Sequence, residues 1–157
     1  MPIMQLARNE ILTDVLIDHK SWKNHPNLSA LIDIAIERTL IFTQNTHYKE
    51  ISIYLTSNKI IKSLNNKYRG INKPTNILSF QSEEPHLGDL ILSYEYINQE
   101  LEVYKKEFDA HISHLIIHGL LHLLGINHDD DKDAKAMEEI EIKILKELGY
   151  NNPYEID

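Results

Sequence analysis

Residues 111–131, HISHLIIHGLLHLLGINHDDD, determine how the rest of the chain reads. Leu115, Ile116, Ile117, Leu120, Leu121, Leu123 and Leu124 surround this segment on nearly every side, the pattern of a helix buried at the centre of a domain. On such a helix His118 and His122 share a face, with Cβ atoms about 5–6 Å apart, near enough to grip one metal ion. Gly125 follows as a residue free to take the left-handed conformation that ends a helix and turns the chain back. That turn can return His128 to the same ion. A buried imidazole without a partner costs about 1–3 kcal/mol, and a metal supplies the partner.

The spacing H-x-x-x-H-x-x-G-x-x-H is the long metzincin-type zinc signature, with Gly119 where the general-base Glu would stand. Three neutral imidazoles leave a fourth position open for water, the arrangement of a catalytic zinc. Two plainer readings stay open: histidines that only hydrogen-bond within a core, and a closed structural site completed by a ligand from elsewhere. Nickel, copper or iron would also accept three imidazoles. Gly119 inside the helix costs about 1 kcal/mol relative to Ala, which points to something packed closely against the backbone there. His111 and His114 lie on roughly the same stripe and are candidates for supporting a ligand or touching substrate, or for simple packing. Asp129 and Asp130 are candidates for an extra ligand or base, after the plainer role of acids at the positive N-terminal end of a last helix.

Composition sets bounds on the rest. The 157 residues, 42% hydrophobic and 25% charged, suit one globular domain spanning 1–157 with a real core. The first residues, MPIMQLARNE, lack the basic start and apolar run of a signal peptide, and no apolar stretch approaches the roughly 18 residues of a membrane span. With no cysteine, disulfides and thiolate ligands are excluded, any metal rests on His and carboxylates, and the cytoplasm is the expected compartment. The net charge of −8 argues against nucleic acid at first sight. Its distribution changes that, because residues 51–82 contain no Asp or Glu yet hold Lys59, Lys62, Lys67, Arg69 and Lys73. A basic surface beside a metal could focus a phosphate ligand; a merely solvated helix face fits the same charges.

In chain order, residues 3–8 read as a first strand, and His25-Pro26 introduces a helix over Leu28–Phe42 with a stripe of Leu28, Leu31, Ile32, Ala35, Ile36 and Leu40. Ile51, Ile53 and Leu55 alternate with polar residues as a half-buried strand does. Ser57 can cap a helix from Asn58 to about Tyr68, which Arg69-Gly70 ends. Lys73-Pro74-Thr75 forces an extended loop before a short strand, Asn76–Phe80. His86–Gly88 then turn into a strand at Asp89–Leu92, and the two strands read as a hairpin. Ser93 caps a helix to about Tyr104, the histidine helix follows the Lys105-Lys106 break, and a last helix buries Met137, Ile140, Ile144 and Leu148 before Gly149 stops it. This order gives an α+β domain: a small mixed four-stranded sheet with about five helices packed around a central, buried, metal-bearing helix.

Two segments together resemble a known family. HGLLHLLGINH is similar to the HGxLHLxGYDH signature of the YbeY endoribonucleases, the rRNA maturation factors of bacteria. LNNKYRGINKPTNILSF, Leu64–Phe80, resembles that family's Asn-x-x-Tyr-Arg and Pro-Thr-Asp-Val-Leu-Ser-Phe segment. Gly88-Asp89-Leu90 and the Met137-Glu138 helix fall in the same order, so the resemblance spans about residues 50–150. It implies one zinc per chain on His118, His122 and His128, and a functional arginine at Arg69. It also implies cleavage of single-stranded RNA in 16S rRNA 3′-end maturation and ribosome quality control, with RNA and the ribosome as partners rather than DNA or a membrane. Ile126-Asn127 stands where the family has Tyr-Asp, and Asn76 where it has Asp, each removing a carboxylate near the site.

On this reading the ion holds a scissile-phosphate oxygen and Arg69 clamps the charge developing on phosphorus, with Lys73, His114 and Asp129 as candidate neighbours of ion or substrate. The nucleophile is either water or the ribose 2′-OH. Two other function classes fit parts of the pattern: a metalloprotease, weakened by Gly119, and a ribosome-assembly protein whose metal is structural.

Overall fold

The computed structural model describes residues 11–45, 47–48 and 50–155. The strand expected over residues 3–8 falls outside them. The first strand they contain, β1 (Leu12–Ile17), is one that periodicity does not reveal: it lies at the sheet edge with Leu12, Asp14, Val15 and Leu16 all exposed, so no alternation marks it. A short 3-10 helix, Lys20–Asn24, then buries Trp22, whose indole Nε1 donates to the Thr56 carbonyl at 3.0 Å. Helix α1 (Leu28–Phe42) leads to β2 (Glu50–Thr56), where Ile51, Ile53 and Leu55 are buried in alternation as expected. Ser57 caps α2 (Asn58–Arg69), its Oγ accepting from the Ile60 amide at 3.4 Å, and Gly70 ends it at φ 70°.

The hairpin is present as β3 (Ile77–Gln81) and β4 (His86–Ser93), paired antiparallel. β4 is longer than the expected Asp89–Leu92, because His86–Gly88 join the strand. The sheet order is β1-β2-β4-β3, with β2 parallel to both β1 and β4. β4 is therefore central and covered on both faces. Leu87, Leu90 and Leu92 enter the main core while Ile91 enters a smaller one with Ile61 and Leu78, which explains its nearly continuous apolar run.

Three helices complete the chain: α3 (Tyr94–Tyr104), α4 (Phe108–Leu123) and α5 (Asp131–Glu147). Ser93 occupies the N-cap of α3, but its hydroxyl does not cap; it donates to Asn58 Oδ1 at 2.7 Å and so ties α3 to α2. Helix α4 is the expected central element, packed on α1, α3 and α5 and on β3 and β4. The departure is α2, which lies on the opposite face of the sheet, over Ile91 and Leu78. Among the described residues no helix is long and apolar enough to cross a membrane.

Gly119 explains how α4 comes to lie so close to the sheet. A Cβ there would stand 2.8 Å from Ile77 Cδ1 and 2.8 Å from Leu90 Cδ2, so the missing side chain is filled by the hairpin itself. Overpacking of a filled core costs about 1–3 kcal/mol. Gly119→Val is accordingly expected to lower stability by about 1–3 kcal/mol in urea denaturation. In Gly119→Ala, the gain of about 1 kcal/mol in helix propensity offsets much of the smaller clash. A Val variant as stable as the parent would show that the helix–sheet approach is not set at this position.

Candidate metal centre and cleft

Helix α4 carries His111, His114, His118 and His122 at spacings of three, four and four, one stripe along the floor of a cleft of about 880 Å³. Its end is a full Schellman closure. The Gly125 amide donates to the His122 carbonyl and the Ile126 amide to the Leu121 carbonyl, each at 3.0 Å, with Gly125 at φ 87°. The closure reverses the chain and delivers His128 to the stripe from outside the helix. Gln81, at the end of β3, pins the same helix end by donating to the His122 and Leu123 carbonyls at 3.3 and 3.4 Å.

His118, His122 and His128 each offer one ring nitrogen, and the three atoms lie within 4.8 Å of one another. The Nε2 atoms of His118 and His122 are 3.2 Å apart. Two nitrogens sharing one tetrahedral zinc at the usual bond length would stand about 3.4 Å apart, so this pair fits a shared cation. His122 is held down at about 4 by burial first, then by the neighbouring His118 and His128 and by Arg69, with Glu141 opposing weakly. It therefore presents a free lone pair at neutral pH. With two half-buried rings and one exposed ring, the group is open on the cleft side.

Two carboxylates engage His111 and His114 of the stripe and orient His118. Glu141 of α5 is 0% exposed and accepts from His118 Nδ1 at 2.8 Å, which leaves His118 Nε2 pointing at the other two rings. Its second oxygen meets His114 Nε2 at 2.6 Å and the Tyr154 hydroxyl. Burial works against the charge on Glu141, but the hydrogen bonds from His114, His118 and Tyr154 outweigh it and hold the carboxyl down at about 2. Burial and the bond to Glu141 push the Tyr154 phenol up, so it stays a donor. His114 cannot join the metal group: its Nε2 is engaged here and its Nδ1 is buried without a partner. His111 is withdrawn in the same way, Nε2 lying 3.0 Å from Glu100 and Nδ1 buried. Asn76 donates to both Glu100 oxygens at 3.2 and 3.3 Å, a contact that an Asp at that position would turn into repulsion.

Arg69, at the end of α2, reaches over the sheet edge into the same cleft. It donates to the Ser79 carbonyl at 3.5 Å and lies 6.0 Å from the Phe80 ring centre. Asp129 lines the cleft and is exposed, as do the departing residues Ile126, Asn127 and Asn76. Asp130 instead caps α5, accepting from the Asp133 amide at 2.7 Å. Lys73 is exposed and outside the cleft lining; its carbonyl holds Asn65. Sequence reasoning missed Glu141, Glu100 and Tyr154. For Glu141 a signal exists: it stands four residues after Met137 and three before Ile144, a charge inside the apolar stripe of α5.

The sequence profile described as endoribonuclease YbeY matches residues 16–149. Among similar proteins, an endoribonuclease YbeY of Bradyrhizobium diazoefficiens is 37% identical over 155 residues, covering 91% of this chain and 85% of its own. That of Bartonella henselae is 36% identical over 154 residues, covering 92% and 97%. A solution structure of a Thermotoga maritima protein, 24% identical, covers 92% of this chain and all of its own at a TM-score of 0.61, a likeness of fold.

Two measurements test the role of Glu141. Glu141→Gln is expected to weaken zinc binding about 10- to 100-fold in competition with a chelator, because an amide cannot hold both histidine N–H groups as a carboxylate does. In the metal-free protein, the stability that Glu141 contributes should be complete above its ordinary value of 4.5 and fade as pH falls toward about 2. The Tm gap between parent and Glu141→Gln should then narrow over that interval. A gap that widens on acidification would contradict the assignment.

Proposed function

The chain belongs to the endoribonuclease YbeY family, and from that premise we propose that it is itself a zinc-dependent endoribonuclease of the cytoplasm. Its substrate on this reading is single-stranded RNA, the 16S rRNA precursor on the ribosome, cut in 3′-end maturation and ribosome quality control. The observation that carries the proposal is a single cleft in which three histidine nitrogens converge, a buried carboxylate orients one of them from behind, and an arginine faces them.

His118, His122 and His128 would hold the ion, through Nε2 in the first two. When bound, the ion supplies Lewis-acid polarisation of a phosphate oxygen and lowers the pKa of water beside it. The remaining work falls to the chain. Glu141 keeps the His118 proton on Nδ1, so the ring neither swings nor flips when a substrate enters. Arg69 is fixed in direction by Ser79 and by the Phe80 ring, and its planar guanidinium can pair two phosphate oxygens as negative charge develops on them. Phe80 and the hydrophobic residues Ile77, Leu115 and Leu123 line the cleft wall and reduce water around that charge.

The metalloprotease reading is disfavoured by Gly119. The position that would carry a general base is filled by Ile77 and Leu90, and a side chain there meets the sheet at its first carbon. The structural-metal reading is disfavoured by the open side of the histidine group.

Arg69→Ala is expected to lower kcat on a single-stranded RNA about 10²- to 10³-fold while zinc content stays at one per chain, and Arg69→Lys to recover only part. Chelation should abolish cleavage and zinc restore it. A substrate with a single 2′-deoxyribose at the cut site separates the nucleophiles: continued cutting assigns water, and lost cutting assigns the 2′-OH. Full activity of the Arg69→Ala enzyme would refute the proposed charge clamp.

A further inference from the structure

The cleft does not end at the metal group. From His118 it continues along α4 past His114 to His111, and this further half is walled by Tyr154, Asn76 and Lys106. Its floor cannot bind a second ion, because both histidines there have their Nε2 atoms committed to Glu141 and Glu100. What remains open to a ligand is an aromatic ring and a cation.

Tyr154 is 40% exposed although its hydroxyl is committed, lying against Glu141 and 3.1 Å from His114 Nε2. Its ring meets the His114 ring edge-to-face, centroids 5.3 Å apart, and lines the cleft. The ring is also held still. Leu148 and Gly149 end α5, and the Tyr150 amide returns to the Leu145 carbonyl at 2.9 Å. Asn152 Oδ1 accepts from the Tyr154 amide at 2.8 Å, and Lys106 Nζ donates to the Pro153 carbonyl at 3.4 Å. The segment after α5 is thus a strap drawn across one end of the cleft, with its ring already placed and little side-chain freedom left to lose on binding.

We propose that Tyr154 is a substrate-positioning residue: its ring is a stacking platform for the base of a nucleotide next to the scissile phosphate, and Lys106 pairs with that nucleotide's own phosphate. The inference rests on the endoribonuclease reading above and adds to it where the substrate lies. Arg69 and Lys106 stand toward opposite ends of the histidine stripe, so a strand passing over the metal group meets a cation on each side. Every base has a π-face, so stacking of this kind fixes the strand without reading its sequence. It also requires an unpaired base, since a base inside a duplex keeps its faces covered.

The test is steady-state cleavage of a short single-stranded oligoribonucleotide by the zinc-loaded protein, with zinc content measured for each variant. Tyr154→Ala is expected to raise KM about 5- to 100-fold, the usual effect of removing a stacking ring. Tyr154→Phe, which keeps the ring and loses the bond to Glu141, should restore most of the KM while its kcat falls. A matched oligonucleotide with one abasic site beside the cut should raise the KM of the parent by a similar factor and leave that of Tyr154→Ala nearly unchanged, as two removals of one contact do. Lys106→Ala should raise KM and flatten its dependence on salt. If Tyr154→Phe loses as much in KM as Tyr154→Ala, or if the abasic and Ala losses multiply, the ring does not stack on a base and the inference is overturned. If the parent cuts RNA and Tyr154→Ala keeps its KM, this inference alone fails. If the parent cuts no RNA, the endoribonuclease reading fails and this inference with it.

Discussion

The arrangement depends on one buried negative charge. Glu141 sits fully inside the protein among Met137, Ile144 and Leu145, where an unpaired carboxylate would cost several kcal/mol. It is tolerated because each oxygen is satisfied, one by His118 and the other by His114 and Tyr154. Hydrogen bonds to an ionised acceptor are about twice as strong as neutral ones. Three parts of the chain, α4, α5 and the strap after α5, meet at this group. The geometry of the three-histidine group is therefore inseparable from the docking of the last helix: Glu141 of α5 holds His118 by its Nδ1, and only the packed state holds it so.

The second constraint is how near α4 lies to the sheet. Ile77 and Leu90 occupy the space of a side chain at Gly119, and Leu123 would crowd any Cβ at Gly88, so helix and hairpin pass at the limit of contact. That closeness brings β3 beside the histidine stripe, which lets Arg69 lie over Ser79 and still face the metal group. It also accounts for the missing general base. The position that holds a catalytic Glu in the metzincin-type spacing is here a packing position.

An acidic protein with a net charge of −8 can hold a polyanion only if its positive charge is local. The cleft meets that condition with little: Arg69 and Lys106 line it, and among the described residues Asp129 is the one carboxylate in its lining. Glu100 and Glu141 are turned toward histidines rather than toward the open space, while Glu138 adds negative charge near Tyr154. The lysines of α2, which a count of charges would put first, belong to a helix on the far face of the sheet and are not among the residues lining the cleft, so their contribution is a field rather than a contact.

Local chemistry was enough to read much of this molecule. Helical spacing identified the central helix and put His118 and His122 on one face; Gly125 marked the turn that brings back His128; alternation found β2, and turn residues found the hairpin. Each of these is a relation among residues within about a dozen positions, where backbone geometry alone fixes direction. What tertiary structure alone decided are relations across the chain. Nothing local says that Glu141 reaches His118 across 23 residues, or that Tyr154 reaches His114 across 40. His118 and His114 lie on one stripe, and the spacing that singles out His118 does not say that Glu141 takes the Nδ1 of one and the Nε2 of the other. The edge strand β1 was hidden for the opposite reason, since its residues carry no buried pattern to read. A period reports which way a side chain points, whereas its partner is chosen by how the helices pack, and that choice is made only when the whole chain has folded.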